Sequence, residues 1–482
     1  MGLKGKVFRN TTYLTLGDKI GYVMQFLFFL YFAKQFGVVP VGEYSFAFFL
    51  TYALAMFADS GVTIYLVREV ARGTSSDRQL FFDCLVLRAS SLFTVFFLAS
   101  VSIFLFFNDI SMQKLKVIAV WGIYWIFYQL ADVFLAELNG HEKMGRVALL
   151  GIWLKLISSV AGVVLIYLGL DYDIVLLAFP VSSFVYLCSC LLVSNYTLGP
   201  FLIKFKTFSY YKSLMVELVP FLLSVILLEI LLCQDILILG FIQDDQSVGL
   251  YSSAVKIVTF IYGVQAFIHV AIFPVLSRLF VESRERLIDV SKKILRYMVM
   301  SSLPLSFGLV ITADKIINLL YPDSFQESSI VLKISSWAIA AGFIQVVFSV
   351  LLTAINRQKE KVTLIGLNFA VTTILNILFI YYFNYVGAAV VKVITAVLGL
   401  IFFSYLVSKY LTTLSVLSYT FRPVIACMNM LLFGYYFNNL PLMYLVSVSG
   451  FIYFITLLVL GEFTKEEIQY MKNFIPKMLY GQ

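Results

Sequence analysis

The sequence predicts an all-α, polytopic integral membrane protein with about fourteen transmembrane helices: two six-helix bundles as parallel repeats, plus two C-terminal helices. Three observations carry that expectation. Hydrophobic residues make up 61% of the 482 positions and charged ones only 13%, with a mean hydropathy of +0.94. A soluble domain averages roughly 45–50% apolar and about 25% charged, so this chain has too little polar surface to cover itself in water. The apolar residues also come in continuous runs of about twenty, enough to cross a bilayer as helix, without the alternation of a barrel strand. Finally, the basic residues cluster in every second loop.

Windows of about 19 residues place spans at 11–33, 42–67, 80–107, 115–138, 146–170, 173–195, 214–241, 249–275, 295–320, 328–354, 362–383, 386–408, 417–437 and 441–461. Very short turns, Asp171-Tyr172-Asp173 and Asn384-Tyr385, separate two of the pairs, and Asn438-Asn439-Leu440-Pro441 breaks the last. The opening MGLKGK resembles a myristoylation signal but has Lys6 where Ser or Thr is needed. Its basic residues precede a long apolar segment holding Asp18 and Lys19, which reads as an uncleaved first span.

One set of loops carries Lys4, Lys6 and Arg9; Arg68, Arg72, Arg78 and Arg88; Lys143 and Arg146; Lys204, Lys206 and Lys212; and further clusters around Arg284, Lys359, Lys409, Arg422 and Lys465. The alternate loops are mostly acidic or neutral, with Asp171, Asp173, Asp244, Asp245 and Asp323. By the positive-inside rule the first set is cytoplasmic, giving a multi-pass protein of the cell membrane with both termini inside. The same asymmetry accounts for the net charge of +8 without a nucleic-acid partner. Every outer loop is short, so no extracytoplasmic domain is expected. Ser277–Tyr297 has apolar residues at helical spacing among mixed charges and reads as an interfacial amphipathic helix. Thr464-Lys465-Glu466-Glu467 reads as a capping box opening a short helix with Ile468, Met471 and Ile475 on its apolar side.

Two echoes suggest an internal repeat. Val41-Gly42-Glu43-Tyr44-Ser45 returns as Val248-Gly249-Leu250-Tyr251-Ser252, and Ala136-Glu137-Leu138-Asn139 with its charged loop resembles Ala354-Ile355-Asn356 with its own. Both copies begin on the same side, as parallel repeats do. The expected divisions are 1–213 and 214–410, each a six-helix bundle, and 411–482, two further helices and a short cytoplasmic amphipathic tail.

Ionisable groups inside a span cost several kcal/mol unless they pair or face a wet cavity. Here they are Asp18, Lys19, Asp59, Asp132, Glu137, Lys155, Glu229, Asp235, Lys256 and Lys392. Asp18, Lys19 and Glu137 lie within about two turns of the cytoplasmic interface and can snorkel to it. Asp235 and Lys256 sit on neighbouring antiparallel helices, each roughly 10 Å inside the outer surface, and can pair there or gate it. Glu229 and Lys155 fall near mid-span, and Lys392 in the outer half of its span. Lys19, Lys155, Lys256 and Lys392 directed into one cavity would bind an anionic substrate group. Asp59, Asp132, Glu229 and Asp235 are the candidate coupling or gating acids, and Pro220 a candidate hinge, because proline removes a helix hydrogen bond.

Five cysteines lie within apolar runs without paired spacing, and His141 and His269 are far apart, so neither a disulfide framework nor a metal site is expected. There is no Gly-rich phosphate loop, no H-E-x-x-H and no Gly-x-Ser-x-Gly. The expectation is a secondary transporter, not an enzyme, without ATP hydrolysis or cofactor, driven by H+ or Na+, by membrane potential or by the substrate gradient.

Several stretches together resemble the polysaccharide-export flippase family: Asn10-Thr11-Thr12-Tyr13-Leu14; Gly37 with Gly42-Glu43-Tyr44-Ser45; and Asp59-Ser60-Gly61 with Arg68-Glu69-Val70-Ala71-Arg72. Asp235-Ile236-Leu237-Ile238-Leu239-Gly240, Val248–Ser252 and Phe273-Pro274-Val275-Leu276-Ser277 continue the series, which runs from residue 10 to about 410. The family belongs to the superfamily of multidrug, oligosaccharidyl-lipid and polysaccharide exporters. The resemblance implies flipping of a polyprenyl-pyrophosphate-linked oligosaccharide, as used for O-antigen of lipopolysaccharide, capsule, exopolysaccharide or glycoprotein glycans, to the outer leaflet. Its partners would be that lipid-linked oligosaccharide, membrane lipids, a polysaccharide polymerase and glycosyltransferases. A cation-coupled multidrug exporter of the same fold would instead line its cavity with acids, with few deep lysines. A membrane-embedded polymerase or glycosyltransferase would carry a sizeable outer loop with catalytic acids or arginines.

Overall fold

The computed structural model describes residues 3–59, 61–73, 78–106, 111–201 and 203–469, with the backbone alone for 3–19 and for scattered positions between 220 and 270. Among the described residues the regular structure is helical, without strands. The helices are α1 (Leu3–Phe36), α2 (Val38–Asp59), α3 (Val62–Arg72), α4 (Gln79–Phe106), α5 (Met112–Gly140), α6 (Met144–Tyr167), α7 (Tyr172–Leu176) and α8 (Ala178–Leu198). They continue with α9 (Phe208–Ile242), α10 (Asp245–Glu282), α11 (Arg284–Leu320), α12 (Ser328–Ala354), α13 (Gln358–Tyr410), α14 (Leu417–Tyr436) and α15 (Leu442–Val459).

All fourteen predicted spans fall on helical segments, with 42–67 divided between α2 and α3 and 173–195 between α7 and α8. Among the described residues, nine helices are long and apolar enough to cross a membrane. Much of their outer surface is greasy: Phe93, Phe104, Tyr167 and Phe451 are all well exposed, as lipid contact requires and water does not tolerate. The protein is therefore a multi-pass membrane protein.

Two joints differ from the sequence expectation. The span at 42–67 is not one helix. It breaks after Asp59, where Gly61 adopts φ 76° and α3 restarts at Val62; the left-handed turn is one that glycine enters without a Cβ penalty. The segment 277–297 is not a separate interfacial helix. Its first part finishes α10, its remainder opens α11, and Ser283 alone interrupts the two, with the Leu287 amide bonded to its carbonyl at 3.0 Å. The Asn384-Tyr385 turn stands where the sequence places it: Asn384 takes φ 54° and ψ −140°, so α13 is two helices joined at this turn, and Asn368 of the first donates to the Thr395 carbonyl of the second at 3.3 Å. The Asn384 side chain accepts from the Tyr385 amide at 2.7 Å. The Thr464 capping box forms reciprocally: the Thr464 amide reaches Glu467 at 2.8 Å and the Glu467 amide reaches the Thr464 hydroxyl at 3.3 Å. Met471 and Ile475 lie outside the described residues.

The chain forms two compact units. The first holds 1–256 with Tyr321–Phe325 and Phe369–Ala388; the second holds Ile257–Leu320, Gln326–Asn368 and 389–482. Within the first, Tyr44, Phe48 and Tyr52 stand four residues apart on one face of α2. They pack on Trp121 and Trp125 of α5, with Tyr44–Trp121 centroids 5.1 Å and Phe48–Trp121 centroids 4.8 Å apart in edge-to-face contact. Phe179 of α8 closes the stack at 4.6 Å from Trp121. The second unit is built on a leucine-, valine- and methionine-rich core from α11, α12 and α14, with Val347, Leu351, Val299 and Met430 buried within it.

Candidate functional site

The α2–α3 break carries a polar cluster. Asp59 is the last residue of α2, Thr63 the second of α3 and Arg88 lies about two and a half turns into α4, while Gln129 and Asp132 come from one turn of α5. Arg88 has 0% exposed surface and forms an ion pair with Asp59. The same Nη2 donates to the Thr63 hydroxyl at 2.7 Å, and Nη1 donates to the Gln129 Oε1 at 2.6 Å. Gln129 in turn donates to the Ala55 carbonyl at 2.9 Å, tying α5 to α2. The Thr63 Oγ1 lies 3.1 Å from Asp59 Oδ1 and 2.7 Å from Asp132 Oδ2.

Arg88 had been grouped with the cytoplasmic loop charges, and the structure corrects that: it is an interior cation. The signal was present, because position 88 lies inside the predicted span at 80–107. Interior cations are therefore not confined to the candidate lysines. Glu137 does not snorkel either. It is 1% exposed and paired with Arg78, whose Nε and Nη2 donate to its two oxygens at 2.7 and 2.5 Å. Ser194 and Asn195 of α8 complete that clamp.

The remaining candidates sit on α1, α6, α9 and α10 within the first unit, apart from Lys392. Tyr52, at the end of the aromatic ladder, donates to Glu229. The Asp235 carboxylate accepts from the Tyr251 hydroxyl at 2.5 Å. Lys256 lies with its ammonium 5.0 Å from the centre of the Phe29 ring, a cation–π arrangement, and no ion pair joins it to Asp235 or any other described residue. The anticipated Asp235–Lys256 pair is therefore absent: Asp235 is 7% exposed and already hydrogen-bonded to a tyrosine one helix away. Lys155 of α6 lies 4.2 Å from the Tyr22 ring centre, two turns earlier on α1 than Phe29. Lys392 belongs to the second unit. The side chains of Lys19 and Pro220 lie outside the described residues.

The two copies of the V-G-x-Y-S pentapeptide meet. Ser45 donates to Ser252 at 3.0 Å, residues 207 apart. A Cβ on Gly42 would strike the Asp245 carbonyl, and one on Gly249 would strike the Val38 carbonyl. Each glycine thus admits the backbone of the other copy's helix start, and no side chain fits at either position. Lys114 of α5 braces the joint with a 2.6 Å ion pair to Asp245. The second echo recurs as geometry too. The ends of α5 and α12 place Glu142 and Asn356 at φ 57° and 60°, with the next amide bonded five residues back at 2.9 and 2.8 Å. That is the same Schellman-type ending twice.

Residues 7–280 match the family described as "Polysaccharide biosynthesis protein". The chain belongs to this family. No curated protein matches the sequence. Among solved structures, the fold is similar to the lipid II flippase MurJ in an inward closed conformation: TM-score 0.74 and 16% identity over 93% of this chain and 98% of that one. It is also similar to an inward-facing multidrug-resistance MATE transporter of the MOP superfamily (TM-score 0.62, 14% identity, 81% and 95% coverage). A MOP superfamily transporter from Pyrococcus furiosus aligns with TM-score 0.57 and 14% identity over 83% and 96%. This member of the polysaccharide biosynthesis family thus has the transporter fold of that superfamily.

Proposed function

We propose that the protein moves a polyprenyl-pyrophosphate-linked oligosaccharide from the cytoplasmic to the outer leaflet of the cell membrane by alternating access, without hydrolysing ATP. The observation that supports this best is the family match, which covers more than half of a chain that also has the fold of a lipid II flippase. A pyrophosphate bearing sugars cannot cross about 30 Å of hydrocarbon unaided, since each desolvated polar group costs several kcal/mol. An interior cation without a carboxylate partner is what an entering phosphate needs, and Lys256 is such a cation among the described residues. In this reading Lys256 with Lys19, Lys155 and Lys392 holds the pyrophosphate. Asp59, Asp132, Glu229 and Asp235 serve coupling to H+ or Na+ or gating, and Pro220 is a hinge. The basic loops and both termini face the cytoplasm; the two bundles at 1–213 and 214–410 rock against one another; and a polymerase and glycosyltransferases act on either side of the step.

The test is a strain lacking the gene. Surface glycan should disappear and lipid-linked oligosaccharide accumulate inside, with restoration by the intact chain. Normal surface glycan together with new sensitivity to cationic drugs would instead establish the multidrug exporter, which the MATE-like fold favours as the second reading.

A further inference from the structure

The cluster at the α2–α3 break holds more acid than base. Two carboxylates, Asp59 and Asp132, meet one guanidinium, and no other described cation forms an ion pair with either. Between them stands a single hydroxyl. Thr63 accepts from Arg88 and has one hydrogen to give, yet its oxygen lies within hydrogen-bond distance of an oxygen of each acid. If both acids were ionised, one carboxylate oxygen would face a lone pair, and an uncompensated negative charge would stay at a half-buried site among packed helices. Binding a proton is the cheaper solution, as for any two carboxylates sharing one site. Asp59 is the acid that Arg88 pairs with, so the shared proton belongs on Asp132, which then donates to the second lone pair of Thr63.

The position matters as much as the count. The four elements that supply these groups meet where the helix path bends at Gly61. Arg88 Nε, in a side chain with no exposed surface, has no hydrogen-bond acceptor, so the closed cluster leaves one donor unsatisfied. Admission of water removes that cost. The other titratable groups facing the cluster are Cys84 of α4, near Arg88, and Tyr186 and Cys190 of α8, near Asp132. All are neutral when protonated and supply no second cation.

We infer that the α2–α3 break is a latch that binds one exchangeable proton: the Asp132 carboxyl is protonated while the cluster is closed and releases its proton to water when the bend opens. This deepens the proposed role of Asp132 as a coupling or gating acid and rests on that role, but not on what the protein carries.

Infrared difference spectroscopy on the purified full chain in lipid at neutral pH tests it. Wild type minus Asp132→Asn should show one carbonyl-stretch band of a protonated carboxylic acid, shifting on deuterium exchange. Asp59→Asn should abolish the same band by a separate route, since Arg88 then balances Asp132 alone. No band in the first difference, or a band that survives Asp59→Asn, overturns the shared proton. Because Asp132→Asn keeps a donor toward Thr63, it should fold. If it does not, Thr63→Val, which removes the shared hydroxyl, must move the wild-type band, and an unmoved band counts against the latch. A site with the band but with Asp132 unexchanged in deuterium after days would be a static bond, which also overturns the latch. A strain export assay addresses the substrate separately, so failure of one reading leaves the other intact.

Discussion

Arg88 has no exposed surface, so all of its stabilisation comes from the groups that meet it. Removing one partner of a buried pair strands the other, at about 3–5 kcal/mol. Arg88→Met should therefore lower stability by roughly that amount, seen as an early denaturation midpoint in detergent; a loss under about 1 kcal/mol would mean that the interior is wetter than its burial implies. Lys256 should behave in the opposite way. It faces a ring and no acid, so Lys256→Met should leave stability unchanged or slightly raised. Export should still fall about tenfold or more, the loss of one charge-assisted contact to phosphate. Equal export would remove Lys256 from the substrate path. Acids in greasy runs stand out in a sequence, and Asp59, Asp132, Glu229 and Asp235 were legible for that reason. Their partners were not. Thr63, Gln129 and Tyr52 are ordinary in a span, and Arg88 was masked by the loop charges near it, because depth along a helix says nothing of the direction in which a side chain points.

Helices were legible wherever about twenty apolar residues ran on, since bilayer thickness sets that length. Joints were less so: the break at Gly61 and the near-continuity of α10 and α11 both depend on one residue's backbone angles or hydrogen bonds, which composition averages away. The pentapeptide echo is a case where the sequence held more than a register mark. Its copies interlock through Gly42 and Gly249, with the Ser45 and Ser252 oxygens 3.0 Å apart. A Ser45→Cys, Ser252→Cys pair should thus form a disulfide with mild oxidant, detected by a mobility shift after cleavage of an introduced protease site between the positions. Under alternating access, oxidation should stop glycan export and reduction should restore it. Export that continues with the bond closed would make this contact a static strut.

At the scale of the molecule, the capping box does more than start a helix. Glu467 meets Arg296 and Tyr297 of α11, tying the last described residues to the second unit. Burial pushes the Glu467 carboxyl up, but the hydrogen bonds from Tyr297 and Thr464, with Arg296 beside them, leave it below its ordinary value. A lowered carboxyl stabilises docking above the free-acid value and stops doing so as pH falls through the lowered one. Proteolysis at 465–469 should therefore stay slow at neutral pH and quicken as pH falls below the ordinary glutamate value of about 4.3; protection that is flat through that range would assign the docking to apolar contact alone. The first unit carries another consequence. Its closure needs residues far down the chain: Thr373 donates to Gln234 at 2.6 Å, and Gln243 donates to the Ile380 carbonyl at 3.0 Å. A ribosome delivers these late, so the opening helices must wait in the bilayer, partly assembled, until α13 has been inserted. The order of synthesis is not the order of folding, and the unfinished first unit is the state that insertion machinery and chaperones have to protect.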